Sequence, residues 1–528
     1  MARRRGAHLI LAAAAALLLL QLLLSIPFEY NRVDGFDTRF SAVTLDDSWI
    51  HFIYARSLSR LQPFWYNPGQ PETGTTSPLW CALIAPFLWF GIAPTFASKV
   101  LGIIAAAALA LLAARIAGRL MSLPFAVAAA TLLLLDPLFG FAKLSGMEVL
   151  IASALMVGTI AMLLERRWAA ASLLGALAVW ARPDTLIVAL IAVPLLALAA
   201  LEGKRSQRAI PWRAVLIFAV GPALAALAWG GFCYWATGRW LPATYYIRGQ
   251  GMAAQLLSLD SARIVLAEMT DGSPLFSGPL KLAWAGIGAL ALCIWALAPR
   301  RRDWVRLLLV LVPLCYLALL GGRVINLIGG SFTGNRYVIP VFALMVIWAL
   351  YPAHLISEAL AQRLKLKRSA IAAWIAALVV VCGLFAPPGH TIQRWRELTR
   401  EFTLSAQNLE LMHLRIGRWI NEHYPNEPTL ALYDAGAIAY LVDSTAIDIG
   451  GLNNSRYEVF DEAHAAADLQ WFESYCHRLE GLADLLIIYP QHYPSLARRY
   501  SEREVFRVQL DDPLITLGDT MVVYRLNN

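Results

Sequence analysis

Two carboxylates stand side by side in the stretch TLDDSWIHFIYARS, at Asp46 and Asp47, just after the first strongly apolar run. A carboxylate held against a hydroxyl can take its proton as a general base. Two adjacent acids can also contribute to a cation site, but a bound cation normally needs more ligands. Four later segments place further polar side chains at the ends of apolar runs. KLSGMEVL carries Lys143 and Glu148, WARPDTL carries Arg182 and Asp184, GRWLPATYYIRG carries Thr244, Tyr245, Tyr246 and Arg248, and TGNRYVIP carries Asn335, Arg336 and Tyr337. Arg and Lys hold phosphate oxygens, so cations beside carboxylates suit chemistry on an anionic lipid head group. Each feature also has a plainer use. Asp46 and Asp47 are favoured in the first turn of a helix with Thr44 as its N-cap. Arg182 and Asp184 can form a local salt bridge, and Arg336 can snorkel to a membrane interface. The loop FWYNPGQPETGTTSPLW (64–80) can pack against a sugar ring or a lipid head, or serve as a connector.

The elements around these residues belong to a membrane. The chain of 528 residues is 59% hydrophobic and 15% charged, against about 25% charged for a soluble protein. Eleven apolar runs lie near 7–28, 97–117, 122–140, 146–164, 167–181, 185–201, 213–236, 280–298, 304–320, 337–356 and 369–387. The N-terminal run is long for a signal peptide and has no clean cleavage site, so it is expected to stay as a first transmembrane helix. Basic clusters at Arg3–Arg5, Arg115/Arg119, Arg166/Arg167, Lys204–Arg213, Arg300–Arg306 and Arg363–Arg368 fit alternate cytoplasmic loops if 77–94 is a half-inserted or juxtamembrane helix. A twelfth span there is the alternative. With eleven spans the N-terminus is cytoplasmic, and the polar residues above share the outer face with the tail. Ionisable groups at such places are costly and read as functional. Ile50, Ile53, Tyr54 and Leu58 suit a helix lying on the membrane surface.

Residues 1–387 hold 32 Lys and Arg against 16 Asp and Glu, whereas 388–528 hold 12 Arg, no Lys and 20 Asp and Glu. Opposite balances suggest two environments. The basic excess sits in short loops, so it reads as topology and not as nucleic-acid binding. In the tail, HLRIGRWINEHYP predicts an amphipathic helix. TLALYDAGAIAYLV, STAIDIGG, ADLLIIYP and DTMVVYRL predict strands, with a helix inside the first. That alternation predicts a small α/β or α+β domain. Asp434 and Asp448 can bind sugar, although an Asp close to Gly more often caps a turn. The six cysteines have no metal-ligand spacing, so neither a zinc site nor a disulfide framework is expected.

The run of segments LDDSWIHFIYARSL, YNPGQPETGTTSPLW, SGMEVL, ARPD, LPATYY and NRYVIP, with the tail motifs YDAGAIAYLV and AIDIGGLNN, resembles the polytopic GT-C glycosyltransferases. Within them it resembles most the arabinofuranosyltransferase branch that finishes mycobacterial arabinan. The resemblance implies a polytopic α-helical membrane protein of GT-C type with about 11 transmembrane helices and a C-terminal soluble domain. It divides the chain into a transmembrane catalytic part, 1–387, and an extracytoplasmic part, 388–528. It implies an inverting transferase in a bacterial inner membrane that moves a sugar from a polyprenyl-phosphate donor to an envelope glycan or lipid. Asp46 is then the expected base and Asp47 the second acidic group, with the order open to reversal. Arg248 and Arg336 are the first candidates for the donor phosphate, followed by Lys143 and Arg182. Tyr245, Tyr246, Glu148, Asp184 and Asn335 complete the substrate-binding set. Relatives carry Lys near the place of Arg248, so its geometry departs from the pattern. A divalent cation (Mg, Mn or Ca) at the acidic pair is a feature of some GT-C enzymes only. A flippase for lipid-linked glycans would also need many helices, but no internal repeat is present. A non-catalytic envelope scaffold is the third reading.

Overall fold

The computed structural model describes residues 16–29, 42–202, 210–248, 259–298, 303–321, 335–364 and 369–527. Within it the chain forms two compact units. One comprises residues 1–28, 99–228 and 251–399, and the other 29–98, 229–250 and 400–528.

Among the described residues, five helices are long and apolar enough to cross a membrane: Pro94–Leu120, Pro183–Leu201, Trp212–Thr237, Pro279–Leu297 and Ile339–Arg363. Two bent pairs bring the number to seven if each is one span. The protein is therefore a polytopic helical membrane protein, as only helices and closed barrels satisfy their backbone in lipid. Val149–Leu164, Trp168–Ala181 and Trp304–Leu320 form helices shorter than 18 residues. The expected straight span at 122–140 is instead two helices, 123–135 and 137–144, bent by 60°. The cause is local: Pro137 pushes the preceding Asp136 out of the helical region, to φ −73° and ψ 125°. The ambiguous segment 77–94 holds the helix Pro78–Trp89 of 12 residues, which spans only about 18 Å of a core near 30 Å thick.

In the first unit the window of Ile339–Arg363 that could cross the membrane is 89% buried. A helix apolar on all sides belongs at a centre. It packs closely on Pro279–Leu297 at Gly288, where a Cβ would collide with the carbonyl of Trp348. Small residues at such crossings let two backbones approach.

In the second unit, the helix Asp46–Ser59 follows an extended Leu45. Thr44 is not its N-cap: Leu45 holds that position with no side-chain cap, and the buried Thr44 hydroxyl has no partner among the described residues. Nor is the helix a surface-lying one, because Ser48, His51, Phe52, Ala55 and Ser57 are buried as well as Ile50, Ile53 and Tyr54. The loop after it is partly a hairpin of β1 (Trp65–Asn67) and β2 (Gln70–Pro71). Its turn, Asn67-Pro68-Gly69-Gln70, puts Gly69 at φ +73°, where a residue without Cβ is favoured.

Strands β3 (Leu430–Leu432), β4 (Ala446–Asp448), β5 (Leu485–Ile488), β6 (Glu504–Gln509) and β7 (Thr520–Arg525) form one sheet in the order β4-β3-β5-β7-β6. The pairs β3–β4 and β3–β5 are parallel, and β5–β7 and β6–β7 are antiparallel. The all-buried run Leu485–Ile488 suits a strand covered on both faces. Four of the five strands match the sequence expectation. The edge strand β6 was not expected, because half of its residues EVFRVQ are polar and most are partly or fully exposed, as edges tend to be.

Candidate functional site

Asp46 sits at the first position of its helix and points at a loop 390 residues further along the chain. Its Oδ2 accepts the Gly436 N–H at 2.9 Å, and its Oδ1 accepts the Ala437 N–H at 2.7 Å. Hydrogen bonds to a charged group each contribute about 1.5–3 kcal/mol. The fit leaves no space at Gly436, where a Cβ would collide with the Asp46 carbonyl. Each carboxylate oxygen still has a second lone pair free to accept a proton.

The same loop carries Asp434. Its Oδ2 meets His413 Nε2 at 2.7 Å and accepts the Tyr489 hydroxyl. The Tyr489 hydroxyl is also 3.4 Å from His413 Nε2. Tyr66, from β1, donates its hydroxyl to the Ala435 carbonyl at 2.8 Å. Burial pushes the Asp46 carboxyl up to about 7. The charge of His413 opposes this, those of Asp434 and Asp47 add to it, and the Ala437 amide pulls the other way. Burial works against the His413 imidazolium. The hydrogen bond and charge of Asp434, with the charge of Asp46, outweigh it and raise the pKa of His413. A carboxyl poised near neutral pH has the proton affinity a general base needs. Adjacent helical residues point about 100° apart, so Asp47 faces a different direction while still acting on Asp46 through its charge.

Asp448 has a separate task. Its Oδ1 accepts the Gly450 and Gly451 amides, and its Oδ2 accepts both the backbone and side-chain N–H groups of Asn453. It organises its own loop, as Asp near Gly does in turns. Asn453 in turn accepts the Tyr54 hydroxyl at 2.9 Å. Tyr245 and Tyr246, on the helix Ala243–Arg248, meet edge to face at 5.6 Å. The Arg239 guanidinium lies 5.1 Å from the Tyr246 ring, and the Ala243 N–H donates to Thr73 at 3.2 Å. Arg248 ends this helix, and its side chain lies outside the described residues.

The remaining expected residues belong to the first unit. Arg182 donates to Glu148 at 2.8 Å and, through Nε and NH2, to both oxygens of Asp184. Tyr316 donates to Asp184 at 3.0 Å. The Tyr337 ring lies 5.5 Å from the Arg182 guanidinium and 5.1 Å from that of Arg336, which donates to the Tyr337 hydroxyl. Thus Glu148, Arg182, Asp184, Arg336 and Tyr337 form one connected cluster. Asn335 is fully buried, and neither amide atom has a hydrogen-bond partner among the described residues. Lys143 is apart from this cluster and donates to the carbonyl and side chain of Gln21 at 2.9 and 3.0 Å.

His413, Asp434, Tyr489 and Tyr66 were not legible as a set. They lie far apart in sequence and each has an ordinary alternative use. The DAG of YDAGAIAYLV is the one local signal, since a Gly after an Asp marks a loop built for close approach.

A divalent cation at the acidic pair would need further ligands beside Asp46 and Asp47. Among the described residues no three His, Cys, Asp or Glu side chains converge to hold one, and each Asp46 oxygen already accepts an amide.

Residues 400–524 match the model of a domain of unknown function, DUF8728. No curated protein is similar to the chain in sequence. Among solved structures, it is similar to the oligosaccharyltransferase AglB of Archaeoglobus fulgidus, in complex with an inhibitory peptide and a dolichol-phosphate. The TM-score is 0.58 and the identity 13%, over 90% of this chain and 69% of that one. It is also similar to ArnT of Cupriavidus metallidurans bound to undecaprenyl phosphate, with TM-score 0.56 and 12% identity over 98% of both chains. The arabinofuranosyltransferase AftD from Mycobacteria matches at TM-score 0.48 and 15% identity, over 98% of this chain and 40% of that one. That match is too loose to place the chain in a branch. What the two nearer likenesses share with this chain is the fold.

Proposed function

From the GT-C fold of this chain, we propose that it is an inverting glycosyltransferase. It transfers a sugar from a polyprenyl-phosphate donor to a cell-envelope glycan or lipid. The observation that carries this reading is the Asp46 carboxylate, fixed by two backbone amides and raised to about 7. The similar AglB and ArnT structures hold dolichol-phosphate and undecaprenyl phosphate, which supports a lipid-phosphate donor. A pentofuranose such as arabinofuranose is the proposed sugar, although no stretch of the chain matches a marker specific to the mycobacterial arabinan enzyme. The positive-inside pattern supports eleven spans, with the acidic pair and the 388–528 part on the outer face of the inner membrane.

The proposed step is one displacement. The acceptor oxygen bonds to the anomeric carbon while the carbon–oxygen bond to the lipid phosphate breaks. The phosphate leaves with that electron pair, and Asp46 takes the acceptor's hydroxyl proton. The leaving group needs charge stabilisation and no proton. Arg248 and Arg336 are proposed for that task. Arg182 is already matched by Glu148 and Asp184, and Lys143 by Gln21, which favours positioning roles for both. Tyr245, Tyr246 and Asn335 remain proposed substrate contacts.

Both oxygens of Asp46 are engaged by amides, and this favours a second assignment. There Asp46 anchors the loop and Asp47 takes the proton. Glycan profiling of cells that carry the unaltered chain, Asp46→Asn or Asp47→Asn tests both. Loss of a terminal sugar with one variant only identifies the base. An unchanged glycan profile with both, in folded protein, would overturn the transferase.

A further inference from the structure

Asp46 meets the C-terminal segment at one short stretch, and each residue of that stretch is fixed from outside. Asp434 is held by His413 and Tyr489, Ala435 by Tyr66, and Gly436 and Ala437 carry the amides on Asp46. Gly436 has φ −105° and ψ −90°.

His413 stands out within this arrangement. It lies in the π-helical turn Leu409–Leu414, and such bulges gather at functional sites. It is 1% exposed, and its buried Nδ1 has no hydrogen-bond partner among the described residues. A buried histidine kept for hydrogen bonding alone would use both nitrogens. The charged and titratable groups acting on it are Asp434 and Asp46, with the Tyr489 hydroxyl beside its Nε2. Those acting on Asp46 are Asp47, Asp434 and His413, and Asp46 in turn bears on Tyr66 and Tyr489. At Asp46 the His413 charge thus opposes those of Asp434 and Asp47.

We propose that His413, Asp434 and Tyr489 are positioning residues for Asp46. They hold the 434–437 backbone so that its two amides aim at the carboxylate, and the imidazolium sets the charge that Asp46 carries. The tail thereby completes the site begun by the first outer loop. This inference rests on the reading of Asp46 as the proton acceptor.

A neutral residue in place of His413 removes the charge that opposes Asp434 and Asp47 at Asp46. Its carboxyl then holds its proton to higher pH. Loss of the Tyr489 hydroxyl loosens Asp434 and weakens the amide bonds that favour the ionised form, so the shift has the same direction and is smaller.

The test uses the full chain in lipid nanodiscs, probed with a water-soluble carbodiimide and glycine ethyl ester. The carbodiimide activates protonated carboxyls, and peptide mass mapping reads modification of Asp46 over about pH 5 to 9. In the unaltered chain, half-modification is expected near 7. It should move up by about one pH unit in His413→Gln, and by less in Tyr489→Phe. A His413→Arg chain, which keeps the cation, should return toward the unaltered midpoint. Unmoved midpoints in folded His413→Gln and Tyr489→Phe would overturn the inference. If His413→Gln fails to fold, Tyr489→Phe decides, since it removes one oxygen only. A parallel glycan profile of Asp46→Asn cells separates this from the underlying reading. A normal glycan there removes Asp46 as base, yet a shifted midpoint still supports the coupling. A lost glycan with an unmoved midpoint overturns the positioning role alone.

Discussion

The Arg182 cluster of the first unit and the Asp46 loop contact of the second both place charge under cover, but they resolve it differently. Arg182 sits between two carboxylates and meets each directly, with Tyr316 adding a hydroxyl. A guanidinium forked onto carboxylates holds one protonation state. Among the described residues Asp46 touches no cation in this way. Amides hold it, two like charges crowd it, and the His413 charge acts from beyond its hydrogen-bonded partners. A guanidinium matched by two carboxylates keeps its charge, whereas a carboxylate crowded by like charges can change its proton content. That difference, and not burial itself, separates a framework from a candidate reaction centre.

Several changes would break or sharpen this contrast. The largest effect is expected for Asp46→Asn, which should lower sugar transfer by about 10²–10⁴-fold while leaving a folded, monodisperse protein. Full transfer would end the role of Asp46 as base. Next is Arg182→Met, which strands Glu148 and Asp184 without their cation. Breaking such a pair costs about 3–5 kcal/mol, so thermal unfolding should show a severe loss. A mild loss would mean that the cluster is less tightly matched than its geometry indicates.

Gly436→Ala follows. Its Cβ must displace the Asp46 backbone, and overpacking of this kind costs about 1–3 kcal/mol. Both the melting temperature and the transfer rate should fall together. The pH dependence has a defined sign. Asp46 accepts a proton only when ionised, so transfer should rise with pH through about 7 and then level. The same upward shift, from an ordinary value of 3.8, means that the unfolded chain releases this proton first. Its contribution to stability therefore declines as pH rises from 3.8 through 7. A flat rate profile across that window would remove the poised carboxyl. The smallest effect is expected for Arg60→Ala, because the Arg60–Asp443 pair is about half exposed on both sides. Exposed pairs contribute about 0–1 kcal/mol, so the melting temperature should barely move.

By itself the sequence determined the membrane class, through its apolar runs and scarce charge, and most of the tail's strands, through short buried-type runs such as LLII. It also singled out Asp46 and Asp47, since adjacent acids beside an apolar helix demand a reason. It marked Arg182, Asp184, Glu148 and Arg336, which the fold gathers into one cluster. Only the tertiary structure decided what holds these groups. Lys143 is tied to Gln21, the 122–140 run bends at Pro137, and the Asp46 helix is enclosed instead of lying on a surface. The loop that clasps Asp46 comes from 390 residues away, and its partners His413 and Tyr489 are single residues with no local pattern. Hydrophobic periodicity is a property of neighbours in the chain, so a sequence displays it. The environment of one carboxylate depends on which distant residues the packing brings to it, and no spacing rule encodes that.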